Sequence, residues 1–168
     1  MPMEPLRFPV AVLMQRTPVT NRWISERWEP LAIEPETGAE GHSAPYRIDD
    51  DSGLERWRFS GHRIELHPTE AEGYFLNLAA PEPKVFVMWR KADEGDQPGA
   101  RPWIVTVSYN QAARMLDGGE QVDAIALPDA LRAWIEPFVA ENYKPEPRRK
   151  ARRNDPFANG ESGSVPRD

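Results

Sequence analysis

Apolar positions in this chain recur with two periods, and the change from one to the other marks its elements. Alternation and short apolar runs dominate as far as Val107, and helical spacing becomes prominent after it. Phe8 to Gln15, carrying Val10, Val12 and Leu13, is predicted as a buried strand. Trp28 to Ile33 is a weaker one; Pro30 inside it and Pro35 behind it suit a sheet edge. Glu34 to Gly53 is a loop. Glu55–Phe59 and His62–Leu66 are predicted to pair as a hairpin. Trp57 and Phe59 alternate with Arg56 and Arg58, Ile64 and Leu66 alternate with Arg63 and Glu65, and Ser60-Gly61 supplies the turn. Tyr74 to Ala79 is expected as a strand. Lys84 to Arg90 carries Val85, Val87 and Trp89 on one face and Phe86 and Met88 on the other, which asks for a central strand covered on both sides. Trp103 to Val107 is also apolar on both sides.

Ser108 then reads as a helix N-cap, with Gln111 completing a capping box. That helix runs to about Asp117 and stops at Gly118-Gly119. Val122 to Leu127 is the last strand, parallel to Trp103–Val107 if the connection is a crossover. Pro128-Asp129 opens the final helix, where Leu131, Trp134, Ile135, Phe138 and Val139 form one stripe and Pro137 introduces a kink. The expected fold class is α+β: a mixed, mainly antiparallel β-sheet of about six to eight short strands with two helices in the C-terminal half. Residues 1–143 are expected as one compact domain and residues 144–168 as a disordered basic tail.

Composition narrows the chemistry. With 168 residues the chain is long enough for one self-sufficient core. It has no cysteine, which excludes disulfides, thiolate metal sites and Cys nucleophiles and suits a cytoplasmic protein. The apolar run from Phe8 to Met14 is short, holds Pro9 and lacks a cleavage site, so it is not an export signal. No stretch approaches a membrane span. The net charge of −6 is unevenly placed. From Lys144 onward seven basic and four acidic residues give +3, which leaves −9 on the other 143 residues. An acidic body repels nucleic acid, so polyanion binding would fall to the tail, through Arg148, Arg149, Lys150, Arg152 and Arg153.

No phosphate-cradling glycine loop, G-x-S-x-G or H-E-x-x-H motif occurs. His62 and His67, at odd spacing, are expected on opposite sides; the reading in which one of them joins His42 or a carboxylate at a metal is set below that of solvent-facing or satisfied histidines, and no metal or cofactor is expected. Asp49-Asp50-Asp51-Ser52-Gly53 resembles the opening of a calcium loop, but Ser60 stands where the closing glutamate belongs, so it reads as an acidic turn. Glu65, Glu70 and Glu72 lack a catalytic partner at an obvious spacing. All six tryptophans have an arginine within two residues, a pattern of core indole beside exposed guanidinium. The exception is Arg22-Trp23 and Arg27-Trp28, in a segment of weak periodicity, which we single out as a protein-binding candidate.

The segments FPVAVLMQR, NRWISERWEPLAI, TEAEGYFLNLAAPEPKVFVMWR and VTVSYNQAARMLDGGEQVDAIALPDALRAWIEPFVAENY resemble a bacterial family of short proteins labelled domain of unknown function 3305. Its members are often encoded beside molybdenum-dependent formate dehydrogenase genes. The resemblance implies an accessory or maturation role near a molybdoenzyme, with a molybdoenzyme subunit or an assembly factor as the partner. Some members carry a label implying molybdopterin-guanine dinucleotide synthesis. Such transferases open on a glycine-rich loop, whereas here the first strand runs into Thr17-Pro18-Val19.

The expectation is therefore a non-catalytic accessory protein acting by protein–protein contact. Two alternatives stay open. One is a small-anion or nucleotide-ligand binding domain using Arg56, Arg58, Arg63 or Arg90. The other is a nucleic-acid-associated protein acting through its tail.

Overall fold

The computed structural model describes residues 5–19, 26–38, 44–48 and 54–145. Among the described residues seven strands form two antiparallel sheets, with three α-helices, so the α+β expectation holds. The first sheet contains β1 (Leu6–Pro18), β2 (Glu26–Pro35), β3 (Tyr46–Ile48) and β4 (Glu55–Leu66), in the order β2-β1-β4-β3. The second contains β5 (Lys84–Lys91), β6 (Ala100–Thr106) and β7 (Gln121–Ala126), in the order β6-β5-β7. Between the sheets come a 3-10 turn (Pro68–Glu70) and α1 (Ala71–Ala79); α2 (Tyr109–Asp117) joins β6 to β7, and α3 (Asp129–Asn142) follows.

The two sheets stack through their apolar faces. Val10, Val12, Met14, Phe59, Ile64 and Leu66 of the first meet Val85, Val87, Trp89 and Val105 of the second in one buried cluster. The edges also meet, β4 touching β6 and β2 touching β7. Leu131, Ile135 and Val139 of α3 and Tyr74 of α1 join the same cluster. Phe8 packs edge-on to Trp134 at 5.2 Å, and Tyr74 edge-on to Phe138 at 5.9 Å. Among the described residues no helix is long and apolar enough to cross a membrane.

Several expectations are met for their stated reasons. β2 lies at a sheet edge, and the register slips beside Pro30, leaving Leu31 unpaired between Ala32 and Pro30. β5 is the central strand of its sheet. β6 and β7 run in the same direction, but β5 lies between them and pairs antiparallel with both. Ser108 caps α2, its Oγ accepting from the Gln111 N–H at 3.0 Å. The return half of a capping box is replaced: Thr106 Oγ1 accepts the Ser108 N–H at 3.1 Å and donates to Gln111 Oε1 at 2.6 Å. Pro137 lies inside α3.

Two expectations are corrected. The predicted hairpin at Ser60-Gly61 is one continuous strand, β4, paired with β1 along its length. Val12 faces Phe59 and Val10 faces His62, so Ala11 alone opposes Ser60 and Gly61. Gly61 does adopt a positive φ of 86°, but in a bulge and not in a turn. A bulge and a hairpin both move the apolar positions from odd to even numbers, as they move here from Trp57 and Phe59 to Ile64 and Leu66. Only the presence of β1 as a partner decides between them.

Tyr74 to Ala79 is helix, not strand. The apolar run Tyr74-Phe75-Leu76 masks a helical face in which Ala71, Tyr74 and Asn77 are buried. Gly73 lets this helix approach α2, since a Cβ there would meet Ser108 Oγ at 2.1 Å.

Candidate functional site

A cleft of about 650 Å³ opens where the two sheets part beside α1 and α2. β4 supplies Ser60, Gly61, His62, Arg63 and Glu65, with His67 just beyond its end. β6 supplies Trp103, Ile104, Val105 and Thr106. Thr69 and Glu70 precede α1, and Gln111 and Arg114 lie on α2.

Its polar groups are tied to one another. Glu70 Oε1 accepts from Ser108 Oγ at 2.7 Å and Oε2 from Arg114 at 2.7 Å, which fixes the start of α1 to α2. Glu65 Oε2 accepts from Arg63 Nε at 3.0 Å and Arg7 Nε at 3.2 Å, and Oε1 lies 3.2 Å from His67 Nε2. These bonds, that of Arg63 first, hold the Glu65 carboxyl below the usual carboxylate range, against a smaller opposing effect of burial.

Beneath them the Tyr74 hydroxyl accepts the His67 N–H at 2.9 Å and donates to the Glu65 carbonyl at 3.3 Å. Burial pushes this phenol up to about 12 from an ordinary 10.0. The folded value lies above the unfolded one, so its stabilisation is whole below pH 10 and is lost as pH rises toward 12. We therefore expect the stability difference between the native chain and Tyr74→Phe to change by about 2 kcal/mol across that window in urea titrations. A gap that stays constant from pH 9 to 12 would refute it.

The sequence-derived site residues fare unequally. Arg22 and Trp23 lie outside the described residues, as do His42, Asp49 to Gly53, and the tail residues Arg148, Arg149, Lys150, Arg152 and Arg153. Arg27 is exposed, near Glu29. Trp28 is not an exposed anchor: it is 3% exposed, lies in the core, and donates from Nε1 to Glu26 Oε2 at 3.3 Å. The Arg/Trp alternation of a strand therefore continues through this pair, as it does elsewhere. Trp89 is also buried, and Trp57 and Trp134 pack against the core.

Among the described residues the tryptophan that is mostly exposed is Trp103, at 57%, beside Ile104 at 38%. Sequence reading passed over it. The available signal was Pro102, which marks an edge strand, followed by apolar residues of both parities, which an edge strand cannot all bury. At this point the register of β6 against β5 slips, leaving Trp103 without a partner between Pro102 and Ile104. Arg90 lies over the indole at 4.8 Å and is itself held by two bonds to Glu120, at 3.1 and 2.6 Å.

Arg56, Arg58, Arg63 and Arg90 do not converge. Arg56 donates to Gln15, Arg58 pairs with Glu34 and Glu36, Arg63 with Glu65 and Arg90 with Glu120; of the four, Arg63 lines the cleft. His62 and His67 both line it, because His67 lies past the end of β4 and no longer follows the strand's alternation. Among the described residues no group of three or more His, Asp or Glu is placed to hold a metal.

A family model described as "Protein of unknown function (DUF3305)" matches residues 9–152. No curated protein and no solved structure matches the chain.

Proposed function

The chain belongs to the DUF3305 family, and from that membership we propose that it is a non-catalytic accessory or maturation module working by protein–protein contact. The observation that carries this reading is Trp103. A solvent-facing indole on an edge strand, with Ile104 beside it, is the kind of side chain that anchors interfaces. The Arg90 guanidinium stacked on one face of the ring holds it in place, which lowers the entropy cost of binding through the other face. The carboxylates of the cleft, by contrast, are engaged within the scaffold, Glu65 with Arg63 of β4 and Arg7 of β1, and Glu70 with Ser108 and with Arg114 of α2. The partner class, taken from the family resemblance, is a subunit or an assembly factor of a molybdenum-dependent formate dehydrogenase.

The test is affinity purification of a tagged chain from its host, with co-purifying proteins identified by mass spectrometry. We expect a molybdoenzyme subunit or assembly factor with the native chain. Trp103→Ser should melt like the native chain yet weaken capture by about 2 kcal/mol, roughly thirtyfold. Absence of any partner above background, or equal recovery with Trp103→Ser, would overturn the proposal.

A further inference from the structure

We infer that the outer face of the second sheet docks a partner segment in which a carboxylate stands beside an apolar side chain. Arg101 takes the carboxylate, and the apolar side chain lies on Trp103 and Ile104. The inference rests on the interaction reading above and specifies the partner's chemistry.

Which face these residues share follows from the register. Val85, Val87, Trp89 and Val105 point into the buried cluster between the sheets, so the alternate positions of β5 and β6 face away from it. Ile104 lies opposite Met88 and Arg101 opposite Arg90, and cross-strand partners present their side chains to the same face. Trp103 stands in the register slip between these pairs. Its indole belongs to the outer face as well, because the Arg90 guanidinium lies over it at 4.8 Å. α2 packs on this face over β5 and β7, Tyr109 meeting Phe86 edge-on at 6.4 Å. Trp103 and Ile104 of β6 remain exposed, bordered by two arginines.

Charge selects the occupant. Two guanidinium groups set directly opposite each other on one face repel. Glu120 answers one of them, bonding through both oxygens to Arg90. Arg101 is exposed and has neither an ion pair nor a hydrogen bond among the described residues. The face therefore lacks one carboxylate, and the planar fork of a guanidinium matches that group in particular. A basic partner would add to the excess. So would a second copy docked face to face, which brings its own Arg90 and Arg101 to the same patch. A purely apolar partner would cover the indole but strip water from Arg101 without replacing it. A carboxylate next to an apolar side chain meets both needs.

The experiment titrates the isotope-labelled full chain with capped hexapeptides, using the Trp103 indole N–H and Arg101 Nε–H resonances as reporters. A peptide alternating Glu with Leu is expected to shift both and to saturate. Its counterpart alternating Gln with Leu should bind at least about tenfold more weakly, since the charge-assisted bond is lost. Arg101→Glu sets opposite charges across from each other, so it should melt no lower than the native chain, yet weaken the Glu–Leu peptide at least about tenfold. Opposite signs on stability and binding are what a purely structural arginine would not give. Equal binding of the two peptides, indifference to Arg101→Glu, or free glutarate matching the peptide's affinity would each overturn the assignment. So would a mass that doubles with protein concentration while the Trp103 resonance shifts, which gives the face to a second copy. The two readings fail separately. If Trp103→Ser loses the partner captured from the host but Arg101→Glu retains it, the carboxylate assignment falls and the interaction reading stands. If no partner is captured while the Glu–Leu peptide binds through Arg101, the interaction reading falls and the chemistry of the face stands.

Discussion

Replacing Asn77 by leucine should remove about 3–5 kcal/mol of stability. Asn77 is 3% exposed, on the inner face of α1. Its Nδ2 donates to the carbonyls of Lys84, at 2.8 Å, and Val107, at 3.0 Å, and its Oδ1 accepts the Lys84 N–H at 2.9 Å. One amide thus joins the helix to the start of β5 and to the residue that follows β6. Leucine fills a similar volume but leaves three backbone groups without this partner in a place where water is scarce. Each costs about 1–3 kcal/mol, with incomplete additivity. In a domain of this size that is a fall of about 10 °C in a melt followed by circular dichroism. Asn77→Asp should fare no better, because it keeps the acceptor but turns a negative charge toward two carbonyls. A shift below about 2 °C for Asn77→Leu would show that water replaces the bonds.

Arg58→Met should cost about 3–5 kcal/mol by leaving a buried carboxylate without its cation. The Glu36 side chain is 2% exposed, and its carboxylate accepts from Arg58 at 2.9 Å and from the Gly61 N–H at 3.2 Å. Arg58, 16% exposed, also pairs with Glu34. The cluster ties the end of β2 to the bulge of β4, so it steadies the point where that strand changes face. The penalty belongs to the broken pair and not to the loss of arginine itself. The double variant Glu36→Leu/Arg58→Met should therefore recover at least about half of it, since an apolar pair of similar volume avoids burying a lone charge. Denaturant titrations of the two single variants and the double variant measure the coupling directly. Additive losses would mean that the pair contributes nothing beyond its packing.

Local chemistry was legible in the sequence, and chemistry between distant segments was not. Ser108 could be read as a cap because cap and recipient lie three residues apart, and the edge position of β2 could be read from Pro30. The bulge at Ser60-Gly61 could not be told from a turn, because both shift the apolar phase and only the pairing with β1 separates them. α1 was hidden because Tyr74, Phe75 and Leu76 are consecutive and apolar, while the buried residue that marks its inner face, Asn77, is polar. The cleft was out of reach for a different reason. Its main tie, Glu70 to Ser108, spans 38 residues and depends on Gly73 allowing two helices to approach. Trp103 was within reach through Pro102, but its kinship with the other Arg/Trp pairs concealed it.

Photo-crosslinking in the host tests the central claim most directly. A photoreactive phenylalanine analogue placed at position 103 should yield a discrete adduct with a molybdoenzyme subunit or assembly factor, and the same analogue at position 27 should yield none. Adducts at position 27 alone, or at neither position, would contradict the assignment of the β6 edge as the surface through which this protein acts.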